Sequence, residues 1–273
     1  MNKPVLRPHL NTASDTRSET AQSIHPGMRI LRKVPEVTVY FWIVKLLTTA
    51  MGESTSDYLV THMSPFHAVA LGGIGLAVAL VLQFVVHRYV PWIYWLAVAM
   101  VAVFGTMAAD AIHIVLGIPY LTSTAVFAIV LAVIFIVWYA SEKTLSIHSI
   151  STRRRELFYW VTVMTTFALG TAAGDMTAST LGLGYFSSAV LFAILIALPV
   201  LGYFLFRLNG ILAFWFAYIL TRPLGASFAD WFRKSHSLGG LDWGDGIVSL
   251  ILAVGIIGFV GYLTITRRDS KSE

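Results

Sequence analysis

The chain has 273 residues, of which 57% are hydrophobic and 12% are charged, and its formal net charge is +5. Soluble domains have about 25% charged residues, so this composition indicates an integral membrane protein. The mean hydropathy of +0.74 supports the same class. The sequence has no cysteine, which excludes disulfide bonds, thiolate metal sites and a cysteine nucleophile.

Residues 1–34 form a polar segment that is rich in Ser and Thr and carries six basic side chains. This composition predicts a disordered tail. No apolar run followed by a small-residue cleavage site occurs in it, so a cleavable signal peptide is not predicted. The first hydrophobic segment after the tail is therefore expected to be an uncleaved membrane span.

Eight apolar segments of about 20 residues follow, which is the length that crosses a bilayer as a helix. They lie near residues 37–57, 66–86, 91–112, 120–140, 157–177, 185–206, 210–231 and 246–266. An even number of spans places both termini on one side, and most basic residues lie on that side. The positive-inside rule then predicts cytoplasmic termini, with a second short tail at residues 269–273. The basic pI of 9.5 follows from this orientation, so no nucleic-acid partner is predicted.

One motif recurs four times: an aromatic residue, Trp, nine residues, Gly, four residues and Asp. Its copies are Trp42-Gly52-Asp57, Trp95-Gly105-Asp110, Trp160-Gly170-Asp175 and Trp215-Gly225-Asp230. Identical spacing in four copies indicates internal repeats. Each copy lies in an odd-numbered span, so one repeat is a pair of helices, and the repeats fall near residues 35–88, 89–142, 156–208 and 209–268.

The predicted fold is an all-α transmembrane domain of eight helices over residues 35–268, built from four parallel two-helix repeats. All four motif helices would cross the membrane in the same direction, so the repeats are expected to be related by an axis along the membrane normal. The longest insertion lies between repeats 2 and 3. It predicts two four-helix halves joined by a cytoplasmic loop.

The motif residues suggest separate roles. Fifteen helical residues span about 22 Å, which would place each Trp near the cytoplasmic interface and each Asp towards the external one. An interfacial aromatic belt is an ordinary explanation for the Trp residues. Each motif Gly is followed four positions later by another small residue, a pattern that favours close packing of helices in lipid. We therefore expect the glycines at contacts between repeats.

Charged residues within the spans are the candidate functional groups, because such groups usually face a bundle interior, pair with one another and mark pathways. Helix 1 adds Lys45 and Glu53 to the polar stripe of Asp57. Helix 7 adds Arg222 near mid-membrane, followed by Pro223, which is expected to break the helix. A pairing of Glu53 with either cation, and a purely structural role for each motif Asp, stay open.

The surplus of carboxylates over cations predicts a secondary transporter with a cation, either a divalent metal ion or protons, as substrate. The predicted pathway residues are Glu53, Asp57, Asp110, Asp175, Asp230, Lys45 and Arg222, and the candidate metal ligands are Glu53, Asp57, Asp110 and His113. Carboxylate and imidazole ligands favour hard ions such as Mg²⁺ or Mn²⁺. No cofactor is predicted, and the predicted partners are the lipid bilayer and a small ion or solute.

Two other classes of function stay open. A structural or regulatory membrane protein would hold its charges in fixed pairs and transport nothing. A membrane enzyme is disfavoured, because the sequence has no Ser/His/Asp nucleophile set and no HExxH zinc motif. No nucleotide-binding motif is visible either, so any energy coupling must come from an ion gradient or a partner. The sequence does not determine whether the chain forms a homo-oligomer.

Four tandem two-helix units, each with a characteristic tryptophan, resemble a family of bacterial inner-membrane proteins built from repeats of unknown function. The segment KVPEVTVYFWIVKLLTTAMGESTSDY is similar to the opening segment of that family, and the resemblance covers roughly residues 34–268. It implies the architecture, a bacterial origin and an inner-membrane location, and it supplies no substrate. Repeat 4 differs by placing Arg222 and Pro223 before its glycine, and only repeat 1 has an acidic residue directly after the glycine.

Overall fold

The computed structural model describes residues 32–269, so most of both predicted tails lies outside the described residues. Residues 32–34, which the sequence assigned to the tail, are packed against the helices. Lys33 and Val34 are buried, and the Lys33 ammonium pairs with Glu156 at 2.5 Å. The packed part of the chain therefore begins before residue 35.

Eight α-helices and no strand occur in this range. The helices are α1 (Val39–His62), α2 (Pro65–Val85), α3 (Pro91–Ile114), α4 (Tyr120–Glu142), α5 (Arg153–Asp175), α6 (Gly184–Phe206), α7 (Gly210–Arg233) and α8 (Asp245–Thr266). A π-helical turn, Met176–Thr180, follows α5, and short 3-10 turns lie at Ile147–Ser149 and His236–Leu238. The predicted all-helical structure is confirmed.

Local sequence explains where several helices begin. The side chains of Thr38, Ser64, Thr152 and Asn209 accept hydrogen bonds from backbone N–H groups of the first turn. Such caps satisfy donors that have no partner within the helix. Proline begins α2 and α3, where its missing N–H costs nothing.

Prolines inside helices do not interrupt them. Pro199 lies within α6 and Pro223 within α7, and both helices continue through these positions. The break predicted at Pro223 is therefore wrong. A proline removes one backbone hydrogen bond, and packing against neighbouring helices can keep a membrane helix intact despite that loss.

Seven of the eight described helices, α2 to α8, are long and apolar enough to cross a membrane. The exception is α1, whose apolar surface is interrupted by Lys45, Glu53, Asp57 and several hydroxyl side chains. Eleven residues of α1 are buried, Lys45 and Glu53 among them. Because its polar groups contact protein, α1 does not need the apolar surface of a lipid-facing helix.

The odd-numbered helices form a closed inner ring. Helix α1 packs against α3, α3 against α5, α5 against α7, and α7 against α1. The even-numbered helices pack outside this ring, with α2 on α3, α4 on α5, α6 on α7 and α8 on α1. More than half of the apolar stretch of α3, α5 and α7 is buried, against less than a third in the even helices. The exposed apolar residues of the even helices suit contact with lipid.

Aromatic side chains of the motif close one layer of the ring. Each motif Trp packs on the aromatic residue that precedes the Trp of the neighbouring repeat. The ring centroids are 5.7 Å apart for Trp95 and Phe41, 5.7 Å for Trp160 and Tyr94, 6.3 Å for Trp215 and Tyr159, and 5.7 Å for Trp42 and Phe214. Trp95, Trp160 and Trp215 are at most 3% exposed. They pack inside the bundle, which an interfacial belt does not explain.

The motif glycines close a second layer. A Cβ atom added to any of the four glycines would clash with the neighbouring repeat. The distances from the added Cβ atom would be 2.3 Å to Ala102 Cβ for Gly52, 2.8 Å to Phe167 Cβ for Gly105, 2.3 Å to Arg222 Cγ for Gly170 and 2.0 Å to Thr49 Oγ1 for Gly225. Each contacted residue stands three positions before the motif glycine of the neighbouring repeat. The four contacts are therefore equivalent, and each leaves no room for a side chain.

Replacing Gly52 by alanine is expected to lower the free energy of unfolding by about 1 to 3 kcal/mol, the usual cost of overpacking. The added Cβ would also approach the Ala102 backbone carbon at 2.8 Å, so a rotamer change cannot relieve the clash. Gly258 in α8 provides the matched control, since a Cβ there meets nothing within 4 Å. Thermal unfolding in detergent measures both variants, and equal stability would contradict the close contact between α1 and α3.

Candidate functional site

The axis of the ring has two chemically different ends, here called the Trp end and the Asp end after the motif residues that lie there. Residues four positions apart share one face of a helix. The residue after each motif glycine therefore lies on the same face as the motif Asp. These four positions hold Glu53, Thr106, Thr171 and Ala226.

Arg222 joins the ring helices at this level and is fully buried. Its Nη2 donates to Glu53 Oε2 at 2.7 Å and to Thr171 Oγ1 at 2.7 Å, and it also contacts the Thr106 hydroxyl. Its Nη1 donates to the Thr49 carbonyl oxygen at 3.1 Å. One side chain of α7 thus binds α1, α3 and α5, and the structure pairs Glu53 with Arg222.

Arg233, at the last turn of α7, is a second buried cation. It pairs with Asp57 and Asp230, and with Asp245 at 2.7 Å. Its Nη2 also lies 3.8 Å from Glu53 Oε1. The span predicted at residues 210–231 ends before this arginine. Its position three residues after Asp230 on a helix was the signal for an ion pair.

Lys234 follows directly and binds the outer side of the same cluster. Its Nζ donates to Asp57 Oδ2 at 3.1 Å. Burial disfavours the charged form, but the carboxylates of Asp230 and Asp57 raise the pKa of Lys234 above its ordinary value. The ammonium is therefore charged at neutral pH.

Three carboxylates from different repeats converge beside these cations. Glu53, Asp175 and Asp230 each offer an oxygen atom within 4.8 Å of the others. Ligand oxygens bind Ca²⁺ at about 2.3 to 2.6 Å, so atoms at this separation can share one hard cation. Among residues 32–269, Asp175 has no hydrogen bond or ion pair, and the same holds for Asp110. Asp110 lies close enough to Glu53 and Asp230 to interact with their charges.

The cluster at the Asp end has more carboxyl groups than basic groups. Its described members are six carboxylates and three cations: Glu53, Asp57, Asp110, Asp175, Asp230, Asp245, Arg222, Arg233 and Lys234. Exposure falls along the axis, since the side chains of Asp57 and Asp245 are 20% and 24% exposed, while Glu53 and Asp230 are buried. Asp110 and Asp175 are partly buried.

The metal ligands predicted from the sequence do not converge as a set. Glu53 belongs to the converging group, but Asp57 is held by Arg233 and Lys234, and Asp110 lies outside the group. His113 Nδ1 bonds the Ile118 carbonyl oxygen at 2.7 Å, at the end of α3. Its ring stacks on Tyr120 at 3.5 Å. The histidine therefore holds the loop that follows α3. Asp175 and Asp230 join Glu53 in the converging group, which contains neither Asp57 nor His113.

Lys45 lies deeper along the axis and pairs with no carboxylate in the described part of the chain. Its Nζ lies over the Phe167 ring at 4.0 Å and the Tyr218 ring at 4.3 Å from the centroids. Beyond it, the hydroxyls of Tyr94 and Tyr159 bond each other across the ring. These aromatic residues close the axis at the Trp end.

Two apolar cavities, of about 800 and 520 Å³, lie away from the carboxylates. Both open along the contact between α1 and α7 and share Leu46 and Leu224 in their linings. Their linings are mostly apolar and contain no carboxylate, which suits acyl chains of lipid. The converging carboxylates lie on the ring axis instead.

The fold and the site together define a multi-pass helical membrane protein whose repeated helices surround a charged axis. Four stretches of the chain, residues 40–89, 93–144, 158–209 and 213–269, match the protein family described as Repeat of Unknown Function (DUF347). The chain belongs to this family, and the predicted tandem repeats are confirmed. Neither the curated proteins nor the solved structures give a match to this chain.

Proposed function

We propose that this protein is a secondary transporter for a cation, bound by Glu53, Asp175 and Asp230. The observation that carries the proposal is the convergence of three carboxyl groups from three repeats inside a cluster with more carboxyl than basic groups. Ionisable groups within a membrane domain are costly, and they usually mark ion pathways or proton relays. A hard divalent ion such as Mg²⁺ or Mn²⁺ fits the all-oxygen ligands.

The proposal includes an arrangement in the membrane. All eight helices cross the bilayer, with α1 shielded inside the ring, and the repeats are related by an axis along the membrane normal. The recurring Trp and Gly contacts support this relation. Both termini lie on the cytoplasmic side of a bacterial inner membrane, so the Asp end faces outward.

The contacts suggest how an ion would move. It would enter past the partly exposed Asp57 and Asp245 and reach the three inner carboxylates. Arg222 blocks further movement, because its guanidinium is bonded to three ring helices. Passage to the Trp end therefore requires that the pair between Arg222 and Glu53 separates and that the tyrosine layer opens. An ion gradient would drive this change rather than a nucleotide, and no catalytic step is proposed.

A structural role is the second candidate, and the bonds of Arg222 favour it, since they fix the ring helices to one another. Asp175 separates the two candidates. It has no partner among the described residues, so a structural role gives this carboxylate no function, whereas cation binding requires it.

Replacing Asp175 by asparagine is expected to abolish stabilisation by cations and to leave the metal-free melting temperature unchanged or higher. The exchange keeps the shape and removes a carboxyl group that lies among other carboxyl groups and makes no ion pair among the described residues, so no favourable contact is lost. Even residues that only support a metal ligand change affinity about 10- to 100-fold when mutated, so loss of a ligand should weaken binding at least tenfold. Melting of the purified protein in detergent with and without Mn²⁺ or Mg²⁺ measures this effect.

Asp242→Asn is the matched control, because Asp242 is an exposed residue in the loop before α8. This variant should keep the full response to the cation. Flux of Mn²⁺ into proteoliposomes should fall in Asp175→Asn and not in Asp242→Asn. A wild-type protein that no cation stabilises and that moves none would overturn the transport proposal and leave the structural role.

A further inference from the structure

Lys45 is a buried amine that the cation site does not use. Its side chain is fully enclosed at the level of the ring between the carboxylate cluster and the tyrosine layer. Its Nζ has no hydrogen-bond acceptor among the residues that the structure describes. A charged lysine in a membrane domain normally pairs with a carboxylate or a carbonyl oxygen. The missing acceptor therefore needs an explanation.

The groups around Lys45 act on it in opposite directions. The faces of Phe167 and Tyr218 attract an ammonium. Burial without an acceptor disfavours the charge, and so does Arg222, whose guanidinium carbon lies 5.2 Å from the centroid of the same Phe167 ring. These opposing effects make the protonation of Lys45 sensitive to any change in the charge that Arg222 presents.

Among residues 32–269, Arg222 is the charged group that faces Lys45 at this level. Helix α3 contributes Tyr94, whose hydroxyl is bonded to Tyr159 of α5, and α7 contributes Tyr218 and Arg222. Helices α2 and α8 also pack against α1, but their titratable residues lie only near their ends. On α1 itself, Glu53 lies two turns away and is bonded to Arg222.

We propose that Lys45 is the proton-binding residue through which this protein exchanges protons for its cation, an inference that rests on the proposed transport function. A cation bound at Glu53 competes with Arg222 for the same carboxylate. The Arg222 guanidinium is then less neutralised by Glu53, so it repels the Lys45 ammonium more strongly. As a result, Nζ releases one proton to water. When the cation leaves, Glu53 binds Arg222 again and Nζ takes up one proton.

This linkage is reciprocal, since two ligands that share a coupling affect each other equally. The hydroxyls of Tyr218, Tyr94 and Tyr159 lie beside Lys45 and in the next layer towards the Trp end. Hydroxyl groups both donate and accept, so they offer a route for the proton between Nζ and that end of the ring.

The test measures protons released when Mn²⁺ is added to the purified protein in weakly buffered detergent with a pH indicator. Wild type should release protons, and Lys45→Met should release about one fewer per bound ion. Eight helical residues, the spacing of Lys45 and Glu53, span about 12 Å. At an effective dielectric of about 20, a unit charge at that distance changes binding of another by about tenfold. Lys45→Met should therefore bind Mn²⁺ at least about tenfold more tightly at low pH.

A second variant gives the opposite shift. Lys45→Arg carries a permanent charge, so it should bind Mn²⁺ more weakly than wild type at high pH and should likewise lack the released proton. Asp242→Asn, in the exposed loop before α8, is the control, and it should release as many protons as wild type. Lys45→Met removes a buried charge at similar volume, so it should fold even if the arginine variant does not.

The outcomes separate the two proposals. If wild type binds Mn²⁺ and Lys45→Met releases as many protons with unchanged affinity, Lys45 does not couple the two ions and only this inference is overturned. If wild type binds no Mn²⁺ and moves none in proteoliposomes, both proposals are overturned. Loss of the proton together with the opposite affinity shifts of the two variants supports the exchange.

Discussion

Replacing Arg222 by methionine is expected to lower the free energy of unfolding by about 3 to 5 kcal/mol, the usual cost of removing one partner of a buried ion pair. Methionine leaves the buried Glu53 carboxylate with only the more distant Arg233 guanidinium, whose Nη2 lies 3.8 Å from Oε1. It also removes the donor that Thr171 and the Thr49 carbonyl share. This one substitution thus removes contacts to α1, α3 and α5 at once.

A double-mutant cycle with Glu53→Gln tests the cause of this loss. Each single variant leaves a buried group without its partner, whereas the double variant leaves neither charge, so the two losses should add to clearly more than the loss in the double variant. Arg154→Met is the control, because its pair with Glu142 at 3.3 Å is 65% exposed on the arginine side. Exposed pairs contribute about 0 to 1 kcal/mol. Additive losses at positions 222 and 53 would show that the two side chains act independently.

The sequence predicted those parts of the fold that depend on the motif of Trp, Gly and Asp, which recurs with the same spacing in all four repeats. The motif spacing alone predicted which helix faces contact neighbouring helices, because equal spacing places Trp and Gly at the same angle around every motif helix. The structure adds which neighbour each face meets. The sequence could not supply this, since a repeat can pack on the preceding or the following repeat with the same pattern.

The candidate site was less predictable, because it depends on positions that differ between the repeats. The choice of partner for Glu53 is an example. Lys45 lies two turns away on the same helix, about 12 Å along the axis, and cannot reach it. Arg222 stands where repeats 1 to 3 have Thr49, Ala102 and Phe167, so its side chain enters the ring next to Gly170. Only the ring geometry brings it to Glu53.

Arg233 is a second residue of the site whose role the sequence did not predict. In the sequence it lies at the end of a span beside Lys234, where charges are usually solvated. In the structure α7 extends to Arg233 itself, two residues beyond the predicted end, and the loop to α8 folds back so that Asp245 also reaches the guanidinium. A helix boundary that moves by two residues therefore changes a solvated charge into a buried one.

Replacing Arg233 by glutamine is expected to cause the second large loss of stability, about 3 kcal/mol or more, and a divalent cation should restore much of it. The variant leaves Asp57 and Asp230 without their main counter-charge, and these carboxylates then repel one another and Glu53. A cation that binds only the folded protein stabilises it by mass action, by about 2.7 kcal/mol at a concentration one hundred times its Kd. Melting in detergent with and without Mn²⁺ measures both effects.

Lys234→Gln is the matched control for this rescue, because the Lys234 side chain is 29% exposed and, among residues 32–269, its one side-chain hydrogen bond is to Asp57. Its loss should cost less than about 1 kcal/mol. It should also leave the response to Mn²⁺ close to that of wild type. The Arg233 variant should respond more strongly than wild type, since Asp57 becomes available to the ion and Asp230 no longer has to separate from Arg233 to bind it. If Mn²⁺ stabilises Arg233→Gln no more than wild type, the freed carboxylates do not face the ion, and the Asp end of the ring does not form one common cation site.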